Sequence, residues 1–293
     1  MQTTVSLPEI PVYYTPAMVA KVDSFSPSPR KPEEVVKSWL RLPVNLWEIP
    51  PKPVRREHFY QAHDQKFVDE ILDCKRRNGF GRMEPEVAKS LPYTTGAMLD
   101  AARAALGNGC VAVAPVSGFH HACWDYCSGF CTFNGLMVTA CTLHAEGAVK
   151  RVGILDFDQH WGDGTHDIIT RIGAQPWIEH YSPFAEFGTK ETAKAFIYML
   201  PTLLEAFRDV DLILYQAGAD PHVDDPLGGW LTTDQLHDRD WAVFQWCKQA
   251  SIPVAWNLAG GYQEPLRKVL NIHDNTMLAC AATFMDSKVD LAG

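Results

Sequence analysis

From about residue 110 onward, short apolar runs alternate with longer amphipathic stretches. Val111-Ala-Val-Ala-Pro115, Arg151–Leu155, Asp211–Tyr215 and Pro253–Leu258 have strand length and strand composition, and Pro176–His180 is a shorter run of the same kind. Between and after them, Asn134–Gly147, the stretch following Asp163, Thr189–Arg208, Thr233–Gln249, Glu264–Leu270 and Asn275–Met285 read as helices, with Pro201 expected to kink or split its own. This alternation predicts β/α units: an α/β fold with a mostly parallel central sheet and helices on both faces. Upstream, alanine-rich Thr95–Leu106 is a helix, and residues 78–93, rich in Gly and Pro, read as a loop that shapes a site mouth. Arg56–Arg77 is helical in its second half, where Phe67, Ile71 and Leu72 share a face. Residues 1–60 hold half of the 20 prolines and should be irregular or extended. Within them Pro11–Tyr14 reads as an edge strand, Pro32–Leu40 as a helix and Val44–Ile49 as a short strand. No linker or internal repeat divides the series, so residues 1–293 are expected to form a single domain, with the proline-rich portion 1–60 packed on it.

Composition narrows the class. Apolar residues make up 46% of the chain, with nine Trp, which suits a large packed core. No apolar run is long enough to span a membrane, and the first residues lack the basic and apolar pattern of a secretory signal. A net charge of −9 argues against general nucleic-acid binding and is compatible with cationic partners. Eight cysteines without a signal read as reduced thiols, and the expected location is cytoplasmic. Cys123, Cys127 and Cys131 match no zinc-knuckle or ferredoxin spacing and are taken as buried small apolar residues.

The chemistry collects at the ends of the predicted strands. Asp156, Asp158 and His160 follow one strand at two-residue spacing, so they share a face while the chain stays extended. Asp158, His160 and Asp220 offer O, N and O to a catalytic metal with an open position. A carboxylate-rich set is compatible with Fe²⁺ or Mn²⁺ as well as Zn²⁺. Beside a metal, His120 and His121 become candidates for moving protons, and Asp156 and Asp163 are spare carboxylates at the same edge. Tyr262, after Gly260 and Gly261, can present a protonated phenol to an oxyanion. Taken singly, Asp220 also reads as a turn residue, the His pair as satisfied core, and Tyr262 as a surface tyrosine.

Together these segments resemble the histone deacetylase family of the arginase–deacetylase fold, nearer its bacterial and class II members. The resemblance is carried by Ala62-His-Asp64, Gly118-Phe-His-His-Ala122, Gly129-Phe-Cys-Thr-Phe-Asn134, Asp156-x-Asp-x-His160 with Gly162-Asp-Gly164, Ala219-Asp-Pro-His-x-Asp-Asp-Pro-Leu-Gly228 and Gly260-Gly-Tyr262, in that order. It implies Zn²⁺-dependent hydrolysis of an N-acyl amide on a long amine such as acetyl-lysine, with Asp158, His160 and Asp220 as metal ligands. It further implies that His121, paired with Asp163, is general base and then acid, and that His120, paired with Asp156, is its electrostatic partner. Tyr262 would stabilise the oxyanion, and Gly129, Phe130 and Gly260 would line the substrate channel. The family's Phe-Pro-Gly-Thr-Gly segment reads Phe184-Ala-Glu-Phe-Gly-Thr-Lys190 here, so the opposite wall is Phe187 or Phe184, with Glu186 at the rim. The double-histidine lead-in also departs, with Val116-Ser117 in place of Pro-Pro-Gly. A structural K⁺ using oxygens of Asp156, Asp158 and His160 is expected from the same resemblance.

Three alternatives remain open. The substrate is an acyl-lysine or a small acylated amine or polyamine, the latter motivated by the acidic balance and by Glu84, Glu86 and Glu186 near the rim loops. A binuclear Mn²⁺ ureohydrolase fits Asp220-Pro-His-Val-Asp224, but Gly162 stands where a second-metal carboxylate belongs. A non-catalytic acyl-amine binding protein has little support, since every expected catalytic group is present.

Overall fold

The structure, a computed structural model, describes residues 7–285. Seven strands form one sheet in the order β2-β1-β3-β7-β6-β4-β5, and every neighbouring pair is parallel. They are β1 (Ile10–Tyr13), β2 (Leu46–Ile49), β3 (Val111–Val113), β4 (Val152–Asp156), β5 (Ile178–Tyr181), β6 (Leu212–Gln216) and β7 (Val254–Asn257). Strands β3, β4, β6 and β7 are buried along their whole length. That is why they read as continuous apolar runs without a polar face.

Helices cover both faces. On one, Trp39 of α1 (Lys31–Trp39), Phe196 of α7 (Ala193–Leu204), Val243 of α8 (Thr233–Ala250) and Met277 of α9 (Arg267–Phe284) meet Ile213 and Tyr215 of β6. On the other, Phe67 of α3 (Gln65–Leu72), Met98 of α4 (Pro85–Asn108), Met137 of α5 (Gly135–Ala145) and Ile168 of α6 (Asp163–Arg171) meet Leu212 and Leu214. Among the described residues the remaining α-helix is the one-turn α2 (Arg56–Phe59). Among the described residues, no helix is long and apolar enough to cross a membrane.

Several elements differ from expectation. The proline-rich portion supplies β1 and β2 to the sheet, and β1 lies inside β2 rather than at the edge. Pro11 has no N–H to give, and the register of β1 with β3 is limited to Val12↔Val113. Helix α4 begins at Pro85, ten residues before the alanine-rich part. Pro85 opens the helix at a position where its missing N–H is no loss. Pro92 lies inside, and its carbonyl accepts from Val54 N–H at 3.0 Å, so tertiary contacts hold this turn against its propensity. The two C-terminal helices are one, α9. The polar pair His273-Asp274 that reads as a break is tied to α1 instead: Trp39 Nε1 donates to the His273 carbonyl and Ser38 Oγ to Asp274. Of the 123/127/131 set, which is free of disulfides, only Cys131 is buried; Cys123 and Cys127 are half-buried in the irregular stretch after β3.

Candidate active site

The pairs Val113↔Trp256, Asn257↔Gln216 and Gln216↔Asp156 bring the carboxyl ends of β3, β7, β6 and β4 to one edge. These four strands are consecutive in the sheet. Asp156 closes β4, and the segments leaving these strands carry the other candidate metal, histidine, carboxylate and tyrosine residues, as open parallel sheets direct.

After Asp156 the chain bends. His160 N–H donates to Asp158 Oδ1 at 3.0 Å, so a tight turn, and not strand alternation, brings His160 beside Asp158. His160 Nδ1 lies 3.1 Å from Asp158 Oδ1 and 3.4 Å from Asp220 Oδ2. Ligand atoms of Asp158, His160 and Asp220 all fall within 4.8 Å of one another. Asp158 and Asp220 are buried, with Gly260 N–H on Asp158 Oδ2 at 2.8 Å and Gln159 N–H on Asp220 Oδ1 at 3.2 Å. Asp220 Oδ2 has no hydrogen-bond partner. Burial and the adjacent Asp158 push Asp220 up to about 7. Burial also opposes the charge on Asp158, but His120 and His160 outweigh it and hold that carboxyl well below the usual range. Hydrogen bonding to Asp158 raises His160 to about 10. Two buried carboxylates converging with one oxygen unused call for a cation between them. The donor set fits a divalent ion.

His120 Nδ1 is 2.8 Å from Asp156 Oδ2, and His121 Nδ1 is 2.6 Å from Asp163 Oδ1. The two rings stand 4.1 Å apart and His121 is 5.7 Å from the His160 ring. Burial disfavours charge on His120, yet Asp156, Asp158 and Asp220 together outweigh it and raise the ring to about 9. Burial raises Asp163, and the His121 bond reverses this to a net lowering. Asp156 is further held by Gln216 Nε2 at 2.6 Å, while Gln216 Oε1 accepts from Phe119 N–H at 3.1 Å. The other Asp156 oxygen, Oδ2, holds His120, and His180 Nε2 stands 3.8 Å from it, beyond hydrogen-bond distance.

Tyr262 is fixed through its backbone N–H, which donates to Asp225 Oδ2 at 2.8 Å. Burial, then the charges of Asp220 and Asp158, push the phenol far up, so it is protonated at any working pH. Gly129 (φ +54°) and Phe130 (φ +63°) are left-handed. For Phe130 that costs on the order of 1–3 kcal/mol, as strained functional loops do. A Cβ on Gly129 would lie 2.4 Å from His121 Cδ2, and one on Gly260 would lie 2.2 Å from Asp220 Oδ2. Phe130 stands 5.8 Å from both Tyr262 and Phe80.

Of the two residues expected at the second aromatic wall, Phe184 is exposed and Phe187 turns inward. Phe187 packs 5.5 Å from Phe196, against the core. Phe25, 66% exposed, stacks on Tyr262 at 6.2 Å and stands 6.4 Å from Phe130. Nothing in the Ser/Pro-rich stretch around Phe25 signals this. Two other groups also escaped the sequence. Gln216 closes a buried strand, which was a readable signal. Lys31 is fully buried with Nζ on the Ala259 carbonyl at 2.5 Å, and in sequence it is only a charge at a helix start. The rim acids do not gather: Glu86 pairs with Lys89 and Glu186 accepts from Tyr181. The cleft beside Gly129 is lined instead by Arg76 and Arg77.

The Histone deacetylase domain family profile matches residues 27–182 and 176–277. An uncharacterized protein of Picosynechococcus sp. is 32% identical over 220 residues, which cover 69% of this chain and 70% of that protein. Acetylpolyamine amidohydrolase 2 of Pseudomonas aeruginosa is 49% identical over 49 residues, 17% of this chain and 14% of its own length. The crystal structure of the HDA15 HD domain superposes with a TM-score of 0.78 over 96% of this chain and 92% of that one, at 18% identity, a likeness of fold.

Proposed function

Because the chain belongs to the histone deacetylase family, we propose that it removes an acetyl-like acyl group from a lysine side chain or a similar long amine. The observation that supports this best is the convergence on one sheet edge of a three-residue metal set, two histidine–carboxylate pairs and a protonated tyrosine. Asp158, His160 and Asp220 would hold a Zn²⁺ ion. Such an ion, when bound, polarises an acyl carbonyl and lowers the pKa of water from 15.7 towards about 7.

The chain's own residues do the rest. The Asp163 carboxylate holds His121 Nδ1–H, which leaves Nε2 to take a proton from the attacking water and return it to the leaving amine. His120, fixed by Asp156, keeps positive charge beside Asp158 and limits how readily His121 retains a second one. Tyr262 donates its phenol hydrogen to the oxyanion, a contact typically worth about 10²–10³ in rate. Phe130 and Phe25 flank the methylene stem and shield the reacting carbonyl from water. A structural K⁺ ion behind the ligands, using oxygens of Asp156, Asp158 and His160, is part of the same reading. A cytoplasmic setting belongs to the same reading and agrees with the free thiols of Cys74, Cys123, Cys127, Cys131, Cys141, Cys247 and Cys280.

A small acylated polyamine is the second substrate reading, favoured by the 49%-identical segment shared with the Pseudomonas amidohydrolase. A panel of acetylputrescine, acetylspermidine and acetyl-lysine peptides, compared by kcat/KM with Zn²⁺-loaded protein, separates the two. Release of acetate from none of them would remove the deacylase reading.

A further inference from the structure

Arg239, in the second turn of α8, is fully buried and lies outside the groups that reach the substrate. One nitrogen, Nη1, donates to two backbone carbonyls, Phe157 at 3.0 Å and Gly218 at 2.9 Å. Phe157 immediately precedes Asp158, and Gly218 stands two residues before Asp220. The two carbonyls thus belong to different loops, one leaving β4 and one leaving β6. These loops are in contact: a Cβ on Gly218 would fall 2.8 Å from Asp158 Cα.

The guanidinium is itself anchored. Its Nε donates to Asp240 Oδ1 at 2.8 Å. Asp240 in turn accepts from Tyr215 of β6 and from Thr276 of α9. A buried ion pair is seldom worth more to stability than well-packed apolar residues of the same size. What this pair supplies that apolar residues cannot is an anchored donor, Nη1, shared by the carbonyls of two ligand-bearing loops.

We propose that Arg239 is a positioning residue that sets the separation of the Asp158 and Asp220 loops and thereby the affinity of the site for its divalent ion. This rests on the metal-site reading above. Supporting groups of this kind typically change metal affinity about 10–100-fold when removed.

The test uses the full chain and the variants Arg239→Lys, Arg239→Met and Arg239→Met/Asp240→Leu. The double variant removes both charges, so that no unpaired carboxylate is left to unfold the protein. Zn²⁺ affinity is measured by chelator competition, and the visible spectrum is recorded with Co²⁺ in the site. The expected result is a roughly tenfold or greater loss of Zn²⁺ affinity and a shifted Co²⁺ spectrum in every folded variant, smallest in Arg239→Lys. A lysine ammonium can still donate to backbone carbonyls, but it has no second nitrogen like Nε to stay anchored on Asp240. A folded double variant with wild-type affinity and an unshifted Co²⁺ spectrum overturns the proposal. Wild-type protein that binds neither ion would instead overturn the metal-site reading, and this inference with it.

Discussion

Tyr262 is where burial and charge act most directly on one atom. Asp220 and Asp158 raise the cost of a phenolate, so the hydroxyl is a donor under all conditions of use. Tyr262→Phe keeps the ring against Phe25 and Phe130 and removes only that donor. Turnover should fall about 10²–10³-fold while Zn²⁺ content by mass spectrometry stays unchanged; retained activity would refute the role. The glycines allow a sharper pairing. Gly129→Ala presses on His121, so it should slow turnover and keep the metal. Gly260→Ala presses on Asp220 Oδ2, so it should lose the metal. The reverse pattern, read from metal content and kcat together, would mean that the two glycines serve other neighbours. At this scale the polar groups were legible because each follows a strand in a distinctive cluster. Phe25 was not, since one aromatic in an irregular stretch has no period to betray its partner. Phe187 misled for the opposite reason: its place in a family segment says nothing of which way its ring packs.

Between residue and fold stand the loops after the strands, and what braces them. The longest runs from Ala114 to Asn134, and His63 holds its far end. His63 Nδ1 faces the Cys123 carbonyl at 2.9 Å, while Nε2 accepts from Asn134 N–H at 2.9 Å. Burial lowers His63 from 6.5 to about 4, and the acceptor role at Nε2 requires the neutral ring. Between pH 6.5 and 4 the unfolded chain binds a proton that the folded one refuses. His63 therefore stabilises the fold above pH 6.5, and that contribution is lost as pH falls towards 4, by on the order of 3 kcal/mol. Below about pH 4 it makes no further difference. Urea unfolding at pH 7 and pH 4.5 should show this slope in the wild type and a shallower one in His63→Gln; equal slopes would count against it. The Ala62-His-Asp64 motif was visible in the sequence, but its task was not, because both partners lie about 60 and 71 positions away. The same limit explains α4 and α9. Pro92 and the His273-Asp274 pair look like breaks locally, and their partners Val54, Trp39 and Ser38 lie far away in sequence.

For the molecule as a whole, the order β3-β7-β6-β4 places four reactive loops side by side although their strands are far apart in sequence. The alternation of runs foretold a parallel sheet, but not this order, which depends on the long crossover from β3 to β4 over two strand positions. What the order delivers is a site with room for one ion. A Cβ on Gly162 would lie 2.4 Å from Asp156 Oδ2 and 3.1 Å from His180 Nε2, so no carboxylate fits where a second metal would need one. Asp156 is already engaged by His120 and Gln216. Loaded protein should therefore carry one divalent ion per chain, counted by native mass spectrometry, and two Mn²⁺ would sink the one-metal reading in favour of a binuclear hydrolase. Removing that ion leaves Asp158 and Asp220 to repel each other in a buried site. At free metal about 100-fold above Kd the ion adds roughly 2.7 kcal/mol. For a chain of this size, that predicts a fall in Tm of roughly 4 °C on chelation, reversed by adding Zn²⁺ back. The Asp220→Asn variant, which relieves the repulsion but weakens the ligand set, should melt above the metal-free wild type and respond far less to Zn²⁺. If chelation leaves the wild-type Tm where it was, the two carboxylates are not held together by a metal.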